Sequence, residues 1–274
     1  STEDIFRGAG GNFNDIFKNA DAMQLVQNNI TYTPNDNAAV PSGDKGSWFK
    51  SIPYTFTEKG SPSDSTGSTS LFYAIQLNVT NETQSDALFG PINTWQFDFD
   101  NDGTLKDFTQ LFDPSIYSSG GPATIEQMAT FNKNISNWDV SGVTNMTQMF
   151  KGASSFNQDI GNWNVSRVRD MQVMFMDTSF NQDISGWNVS NVTWMESMFD
   201  NTPDMSQNIY IWDVSSVLEF GGMFENSGML NVPNDDGFLP DDDASANGAG
   251  PGTWFTGDPI LHTISYSTYA GQSG

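Results

Sequence analysis

The stretch "DFDNDGTLKDFT" (98–109) carries oxygen-bearing side chains at alternate positions. Asp98, Asp100 and Asp102 fall at positions 1, 3 and 5 of a calcium-binding loop, and Gly103 falls at the turn position 6. The backbone carbonyl of Thr104 is the expected ligand at position 7. This spacing predicts a calcium site, because alternate oxygen side chains converge on one hard cation where a glycine permits a sharp bend.

The loop departs from an EF-hand in its second half and in its context. Position 9 is Lys106 and position 12 is Thr109, where an EF-hand has a bidentate Glu, and a strand-like "TWQF" precedes the loop. Asp107 or Asp113 could replace the missing carboxylate. Two interpretations stay open: a DxDxDG calcium loop outside EF-hands, and an acidic turn exposed to water.

Glycosylation sequons are numerous in this chain. Those inside the repeated part are typical of the repeat itself, since Asn164 and Asn188 would stack about 4.8 Å apart and glycans on both would collide. The better candidates for glycosylation are Asn29, Asn78 and Asn81.

Charge and composition narrow the function classes. The net charge of −23 repels phosphate backbones, so nucleic acid is not an expected partner. There is no Cys and only one His, and no hydrolase, metalloprotease, P-loop or dinucleotide-binding motif is present, so we expect no enzyme. No apolar run is long enough to span a membrane. Because the chain begins at Ser1 without a signal peptide, a mature form or a fragment is expected.

Four repeat units follow each other between residues 131 and 229. Their sequences are "FNKNISNWDVSGVTNMTQMFKGASS" (131–155), "FNQDIGNWNVSRVRDMQVMFMDTS" (156–179), "FNQDISGWNVSNVTWMESMFDNTPD" (180–204) and "MSQNIYIWDVSSVLEFGGMFENSGM" (205–229), here called units 1 to 4. Trp138, Trp163, Trp187 and Trp212 are spaced 25, 24 and 25 residues apart. A repeat of this length predicts a stack of similar structural units.

Each unit is predicted to contain a short strand and a short helix. In unit 1, Trp138 and Val140 alternate with a polar residue, as in a strand, and Ser141 is a good helix N-cap. Val143, Met146 and the pair at 149–150 recur at spacings of three and four, as on one helix face. Stacked units are predicted to bury a continuous column of Ile, Trp, Val, Met and Phe. The side chains predicted to face the core in unit 3 are Trp187, Val189, Val192, Met195, Met198 and Phe199. The predicted fold class is a short α/β solenoid of parallel strands and short helices, with β-rich flanking segments.

The units resemble the BspA-type leucine-rich-repeat-like repeats of surface proteins, in the "FNQDISxWNVSNVTxMxxMF" variety first noted in mycoplasma lipoproteins. All four units carry this pattern, over about 100 residues. The resemblance implies a curved solenoid with a parallel sheet on one face, on a secreted or cell-surface protein without catalytic activity. Unit 4 departs from the pattern at Met205, Ser206 and Phe220, as a terminal capping unit does.

Two sets of equivalent positions in the units, here called columns, predict specific contacts. Asn132, Asn157 and Asn181 are predicted to bond the backbone from unit to unit as an internal amide ladder. Trp194 occupies the column that holds Asn145, Asp170 and Glu219 in the other units. Its indole is not required by the unit, so Trp194 is a candidate for a binding contact.

The flanking segments divide into three regions around the units at 131–230. Residues 1–45 carry a partial echo of the repeat, residues 46–130 are predicted to be β-rich, and residues 231–274 combine an acidic loop with two strands. "SWFKSIPYTFTEKG", "SLFYAIQLNVTN" and "INTWQFDFD" predict antiparallel strands. "FTQLF" (108–112) echoes "MTQMF" (146–150), so an insertion of five residues would make Trp95–Phe112 a divergent unit.

The N-terminal echo, "IFRGAGGNFNDIF" (5–17), has two interpretations. The first is a local helix whose Phe residues enter this chain's own core. The second is that Ile5, Phe6 and Phe13 complete the open end of a neighbouring subunit after Met223 and Phe224. Head-to-tail use of such ends builds fibres.

We therefore expect an extracellular structural or adhesive protein that self-associates head-to-tail into a filament or surface layer. The alternative is a monomeric module that binds carbohydrate or a cell-surface protein through the outward column of Asp139, Asn164, Asn188 and Asp213. A glycosidase-like enzyme with paired carboxylates is the remote alternative.

Overall fold

The computed structural model describes residues 53–64, 68–100, 103–117, 121–233 and 255. Its strands and helices are β1 (Thr55–Phe56), α1 (Leu71–Thr80), α2 (Glu82–Phe89), β2 (Gln96–Phe97) and α3 (Ile125–Ala129). Short 3-10 helices lie at Ile92–Thr94, Thr104–Lys106, Pro114–Ile116 and Gly228–Asn231. Across these ranges no helix combines the length and the apolar character needed to cross a bilayer.

The stretch "SLFYAIQLNVTN" forms a helix, so the prediction of a strand there was wrong. Ser70 is the N-cap of α1, and its Oγ accepts a hydrogen bond from the backbone N–H of Tyr73. Every side chain from Leu71 to Asn78 is buried. A helix buried on all sides shows no clear polar face, so its sequence pattern cannot be distinguished from that of a buried strand.

The two strands pair in parallel, so the predicted antiparallel arrangement was also wrong. Thr55 pairs with Gln96, and Phe56 pairs with Phe97. Parallel strands need a long crossover connection, and here α1 and α2 lie between β1 and β2. The aromatic residues that suggested strands pack at this junction, where Phe56 meets Trp95 edge to face at 5.0 Å.

The four units stack with a constant register. Isolated parallel bridges join Asn145 to Asp170, Asp170 to Trp194 and Trp194 to Glu219. Alternate backbone N–H groups of each unit donate to carbonyls of the next, for example Met146 to Asp170 at 2.9 Å. The register confirms the predicted alignment of Trp194 with this column.

The predicted helix and strand inside each unit were wrong. The N–H groups of residues 146, 148 and 150 bond to the next unit, so they are not available for helical bonds to residues four positions earlier. Gln148 and the equivalent Val173 and Ser197 have φ of 56°, 59° and 52°, which excludes an α-helix. The parallel contacts lie at the Asn145 column and not at Trp138–Val140.

Tight four-residue turns produce the spacing that looked helical. The N–H of Val143 donates to the carbonyl of Val140, and the N–H of Met149 donates to that of Met146. These turns send a side chain inward at about every third residue. The side chains predicted to face the core in unit 3 are all buried, which confirms that part of the prediction; they are Trp187, Val189, Val192, Met195, Met198 and Phe199.

The core runs as columns through the stack. The rings of Phe112, Phe150, Phe175, Phe199 and Phe224 follow each other with centroid distances of 5.1, 5.6, 5.6 and 6.0 Å. Offset ring pairs at such distances add stability beyond the burial of apolar area. The stack therefore shares one core and is not a string of independent units.

Residues 92–112 lie next to unit 1 and contact it in the same way as consecutive units contact each other. Asp107 forms a parallel bridge with Asn145, and the N–H of Phe108 donates to the carbonyl of Asn145 at 2.8 Å. Trp95 stacks on Trp138 with a centroid distance of 6.1 Å and an angle of 20°. We call residues 92–112 the leading unit.

Candidate functional site

Each unit presents two short polar turns on its outer surface. One turn is closed by an Asp or Asn whose Oδ1 accepts the N–H two residues ahead, as Asp159 does from Gly161 at 3.0 Å and Asp183 does from Ser185 at 2.9 Å. The second turn uses the same contact in the outward column, which consists of Asp139, Asn164, Asn188 and Asp213. These exposed side chains therefore have a local structural role in addition to facing outward.

The Asn ladder bonds unit to unit. Asn132 Oδ1 accepts from the N–H of Asn157 at 3.0 Å, and Asn157 Oδ1 accepts from that of Asn181 at 2.9 Å. Asn181 Oδ1 then accepts from the N–H of Ser206 at 3.0 Å. The predicted ladder is confirmed, although its members are half-buried or exposed and not internal.

A second ladder is formed by buried indoles, which sequence analysis missed. Trp163 Nε1 donates to the carbonyl of Ile135 at 3.2 Å, and Trp187 Nε1 donates to that of Ile160 at 3.1 Å. Trp138 makes the same contact with Ile92 at 2.7 Å, in the leading unit. The constant Ile-x-x-Trp spacing is the sequence signal for this contact, because it places an acceptor and a donor in register across neighbouring units.

Trp194 is the exposed tryptophan of the described residues. It is 37% exposed, whereas Trp95, Trp138, Trp163, Trp187 and Trp212 are exposed by 4% or less. Its bridges place it between Asp170 and Glu219. In units 1 and 2 the residue of this column caps the backbone two positions ahead, as Asn145 Oδ1 does for Thr147 N–H at 2.8 Å.

The predicted calcium loop is described only in part. Asp98 Oδ1 accepts the N–H of Asp100 at 3.0 Å, and Gly103 has a left-handed φ of 81° that suits the turn. Asp102 lies outside the described residues. Asp107 Oδ1 accepts from Thr109 N–H at 2.7 Å and lies 3.5 Å from Lys59 Nζ, so its carboxylate has partners away from the loop.

Metal-binding clusters of three or more His, Cys, Asp or Glu side chains do not occur among the described residues, which leave Asp102 out. The carbonyl of Thr104 accepts the N–H of Asp107 at 3.2 Å and retains a second lone pair. The calcium loop therefore stays a prediction.

The glycosylation candidates differ in burial. Asn78 is 1% exposed, and its Nδ2 donates to Ser85 Oγ at 3.4 Å, so this packing leaves no room for a glycan on Asn78. Asn81 is exposed at the start of α2, and its Oδ1 accepts from Gln84 N–H at 3.1 Å. Asn29 lies outside the described residues.

The proposed assembly residues also separate into two groups. Met223 and Phe224 are each 1% exposed within their own chain, so they do not form an open apolar end for a neighbour. Phe224 stacks on Phe199, which explains its burial. Ile5, Phe6 and Phe13 lie outside the described residues.

Two side chains close the N-terminal end of the backbone ladder. Lys59 Nζ donates to the carbonyl of Thr109 at 2.8 Å, and Tyr117 Oη donates to the carbonyl of Leu111. Burial lowers the pKa of Lys59 and, with the charge of Asp113, raises the pKa of Tyr117 well above 10.0. No repeat signal points to Lys59 or Tyr117, so sequence analysis could not find this closure.

At the other end, Phe220 stacks on Phe255 with a centroid distance of 6.0 Å. Phe255 is fully buried and contributes to the core at unit 4. This contact accounts for the Phe in place of the repeat's Met at position 220. The two strands predicted after the acidic loop lie outside the described residues.

Carboxylates of consecutive units approach each other near the C-terminal end. Burial, followed by the charges of Glu225 and Asp177, raises the pKa of Asp200 above its usual value of 3.8. Asn201 Nδ2 donates to Asp177 Oδ1 at 2.6 Å and offsets part of this negative charge. The stacking of like charges here destabilises the fold at neutral pH.

Residues 123–236 match the family model described as "Mycoplasma protein of unknown function, DUF285". This part of the chain contains all four units and α3. The match agrees with a mycoplasma-type repeat and attaches no activity to it. No curated protein and no solved structure matches the chain.

Proposed function

We propose that the chain is an extracellular structural or adhesive protein whose units form a short leucine-rich-repeat-like solenoid of the BspA type. The constant register of the stack supports this proposal most directly. Because Asn145, Asp170, Trp194 and Glu219 follow each other in one parallel column, the outer surface is continuous and regularly spaced. Such surfaces suit extended non-covalent contacts.

Self-association into a filament or surface layer is part of the proposal. The N-terminal ladder closure by Lys59 and Tyr117 and the burial of Met223 and Phe224 disfavour direct stacking of one ladder on another. Association would then use the sides of the stack or residues 1–52 and 234–274, which include Ile5, Phe6 and Phe13.

Electron microscopy of the full chain at micromolar concentration tests self-association. Filaments or ordered sheets are the expected result, with and without added calcium. Strictly monomeric particles under both conditions would rule out assembly and leave adhesion by single molecules, which a cell-binding assay measures.

The alternative is a monomeric binding module, and the exposed Trp194 beside the outward column favours it. A partly exposed aromatic ring among polar side chains is a common element of carbohydrate and protein contacts. A glycan-array signal that disappears in Trp194→Ala and Asn188→Ala would support carbohydrate as the ligand.

A further inference from the structure

Trp194 replaces a residue that stabilises its own turn. Asp107, Asn145 and Asp170 each cap the N–H two positions ahead, at 2.7, 2.8 and 3.0 Å, whereas Glu219 in unit 4 makes no such contact. An indole ring has no acceptor that can make this contact, so the equivalent cap in unit 3 is lost. The turn gains nothing from Trp at this position, and the indole is 37% exposed, so its ring can serve contacts outside the chain.

The surroundings of Trp194 are acidic. Side chains at bridged positions of parallel strands lie on the same side, about 4.8 Å apart, so Trp194 has Asp170 on one side and Glu219 on the other. Glu196 follows two positions along, with its Oε2 3.4 Å from Gln172 Nε2. Glu196 and Glu219 are both exposed.

Within the described residues, no cation forms an ion pair with this patch. Arg167 and Arg169 are the nearest in sequence, and both are exposed. The ion pairs within the described residues are Lys59 with Asp107 and Lys133 with Glu82, and the cation–π contact found there joins Lys59 to Phe72. In the part of the chain that the structure describes, no ion pair or cation–π contact thus occupies the Trp194 ring or the nearby carboxylates.

We propose that Trp194, Asp170, Glu196 and Glu219 bind a basic segment of a partner protein, with a Lys or Arg side chain over the indole ring. An indole is the best aromatic partner for a cation, and carboxylates on both sides add charge complementarity. Leu218, which is 65% exposed and whose N–H donates to the Thr193 carbonyl, offers apolar surface for the methylene stem.

The spacing favours a peptide over a single ammonium group. From Asp170 to Glu219 the acidic column spans about 10 Å, which is two unit spacings and more than one cation needs. The net charge of −23 would also accelerate the approach of a basic partner. This inference rests on the proposed adhesive function, for which it names the chemistry of the partner.

Calorimetric titration of the full chain with a Lys- and Arg-rich peptide of about twelve residues tests the proposal. Trp194→Asn, which introduces the residue that unit 1 has in this column, should weaken binding by about tenfold. Glu219→Gln should weaken it by about two- to fivefold and reduce its salt dependence. The matched controls Leu88→Ala, an exposed apolar residue on α2, and Asp204→Asn, an exposed carboxylate elsewhere, should change binding by less than about twofold.

Binding unchanged in Trp194→Asn, or weakened equally by Asp204→Asn and Glu219→Gln, would overturn the site, since the peptide would then sense only the overall charge. Binding of choline-lipid vesicles or neutral oligosaccharides through Trp194, without peptide binding, would overturn the choice of partner. Near-ultraviolet circular dichroism confirms that each variant is folded. Peptide binding by a chain that neither assembles nor adheres to cells would contradict the proposed function and leave this site intact.

Discussion

Lys59 Nζ donates to the carbonyl of Thr109 at the place where later units receive a backbone N–H from the preceding unit. In unit 1, for example, the carbonyl of Thr147 accepts from the N–H of Gln110 at 2.9 Å. The side chain of Lys59 is 14% exposed, and its Nζ also lies 5.5 Å from the centre of the Phe72 ring. One lysine thus replaces the missing neighbour of the leading unit.

Lys59→Met should lower the free energy of unfolding by about 1–2 kcal/mol. The substitution retains the apolar stem on Phe72 and removes the donor to Thr109, while release of the buried charge offsets part of the loss. Urea denaturation at neutral pH measures the change. Lys106→Met, at a half-buried lysine of the same region, is the control and should have an effect of less than about 0.5 kcal/mol.

Tyr117→Phe should destabilise the chain at pH 7 by about 1–2 kcal/mol, because the buried carbonyl of Leu111 loses its donor. The pKa of Tyr117 is raised in the folded state, so its contribution is fully present below pH 10.0 and is lost as the pH rises through the folded pKa. The difference between wild type and variant should therefore stay constant up to about pH 10 and shrink as the pH rises further. A difference that is independent of pH would contradict this assignment.

Val173→Asn should stabilise the chain by about 0.5–1 kcal/mol. Val173 has a φ of 59°, which is strained for a β-branched residue and tolerated by Asn. Gln148 and Ser197 occupy the same place in neighbouring units, so Ser197→Asn is a matched control with an expected change near zero. Thermal unfolding gives the sign directly, and a lower melting temperature for Val173→Asn would disprove the argument.

Trp163→Phe should cost about 2–3 kcal/mol, because the buried carbonyl of Ile135 loses its donor and the smaller ring leaves a void. Trp194→Phe is the comparison, since its indole is partly exposed, and it should change stability by less than about 0.5 kcal/mol. Equal effects of the two substitutions would mean that the indole ladder does not stabilise the stack.

Calcium should raise the melting temperature if the loop at 98–104 binds it, since a ligand at 100 times its Kd stabilises the folded state by about 2.7 kcal/mol. Chelator should reverse the shift, and Asp98→Asn with Asp100→Asn should abolish it. Asp139→Asn, at an outward turn, should leave it unchanged. The absence of any shift in the wild type would favour an acidic turn exposed to water.

The residue pattern revealed the columns of the stack better than its local backbone. Ile135, Trp138, Met149 and Phe150 could be assigned to the core because their positions recur in every unit. The same pattern suggested a helix, because four-residue turns and a helix both bury side chains at spacings of three and four. Only the backbone partners, such as the bond from Met146 N–H to the next unit, distinguish the two.

The other differences between the sequence predictions and the structure arise outside the repeated units, where no recurring pattern guides the prediction. α1 is buried on all sides, so the alternation that distinguishes strands from helices is absent from its sequence. Lys59 reaches Thr109 across 50 positions of chain, and a contact of that separation leaves no local signal. Trp194 breaks a column of polar residues, and its exposure agrees with the expectation that the unit does not require it.

The constant register between units has a consequence for how such chains evolve. Since Asn145 pairs with Asp170 as Asp170 pairs with Trp194, the boundary from one unit to the next is interchangeable. Unequal recombination that removes residues 156–179 would join Ser155 to Phe180 and preserve the pairing on both sides. Lineages could thus lengthen or shorten the outer surface in steps of about 5 Å without altering the closure of the stack at Lys59 and Tyr117.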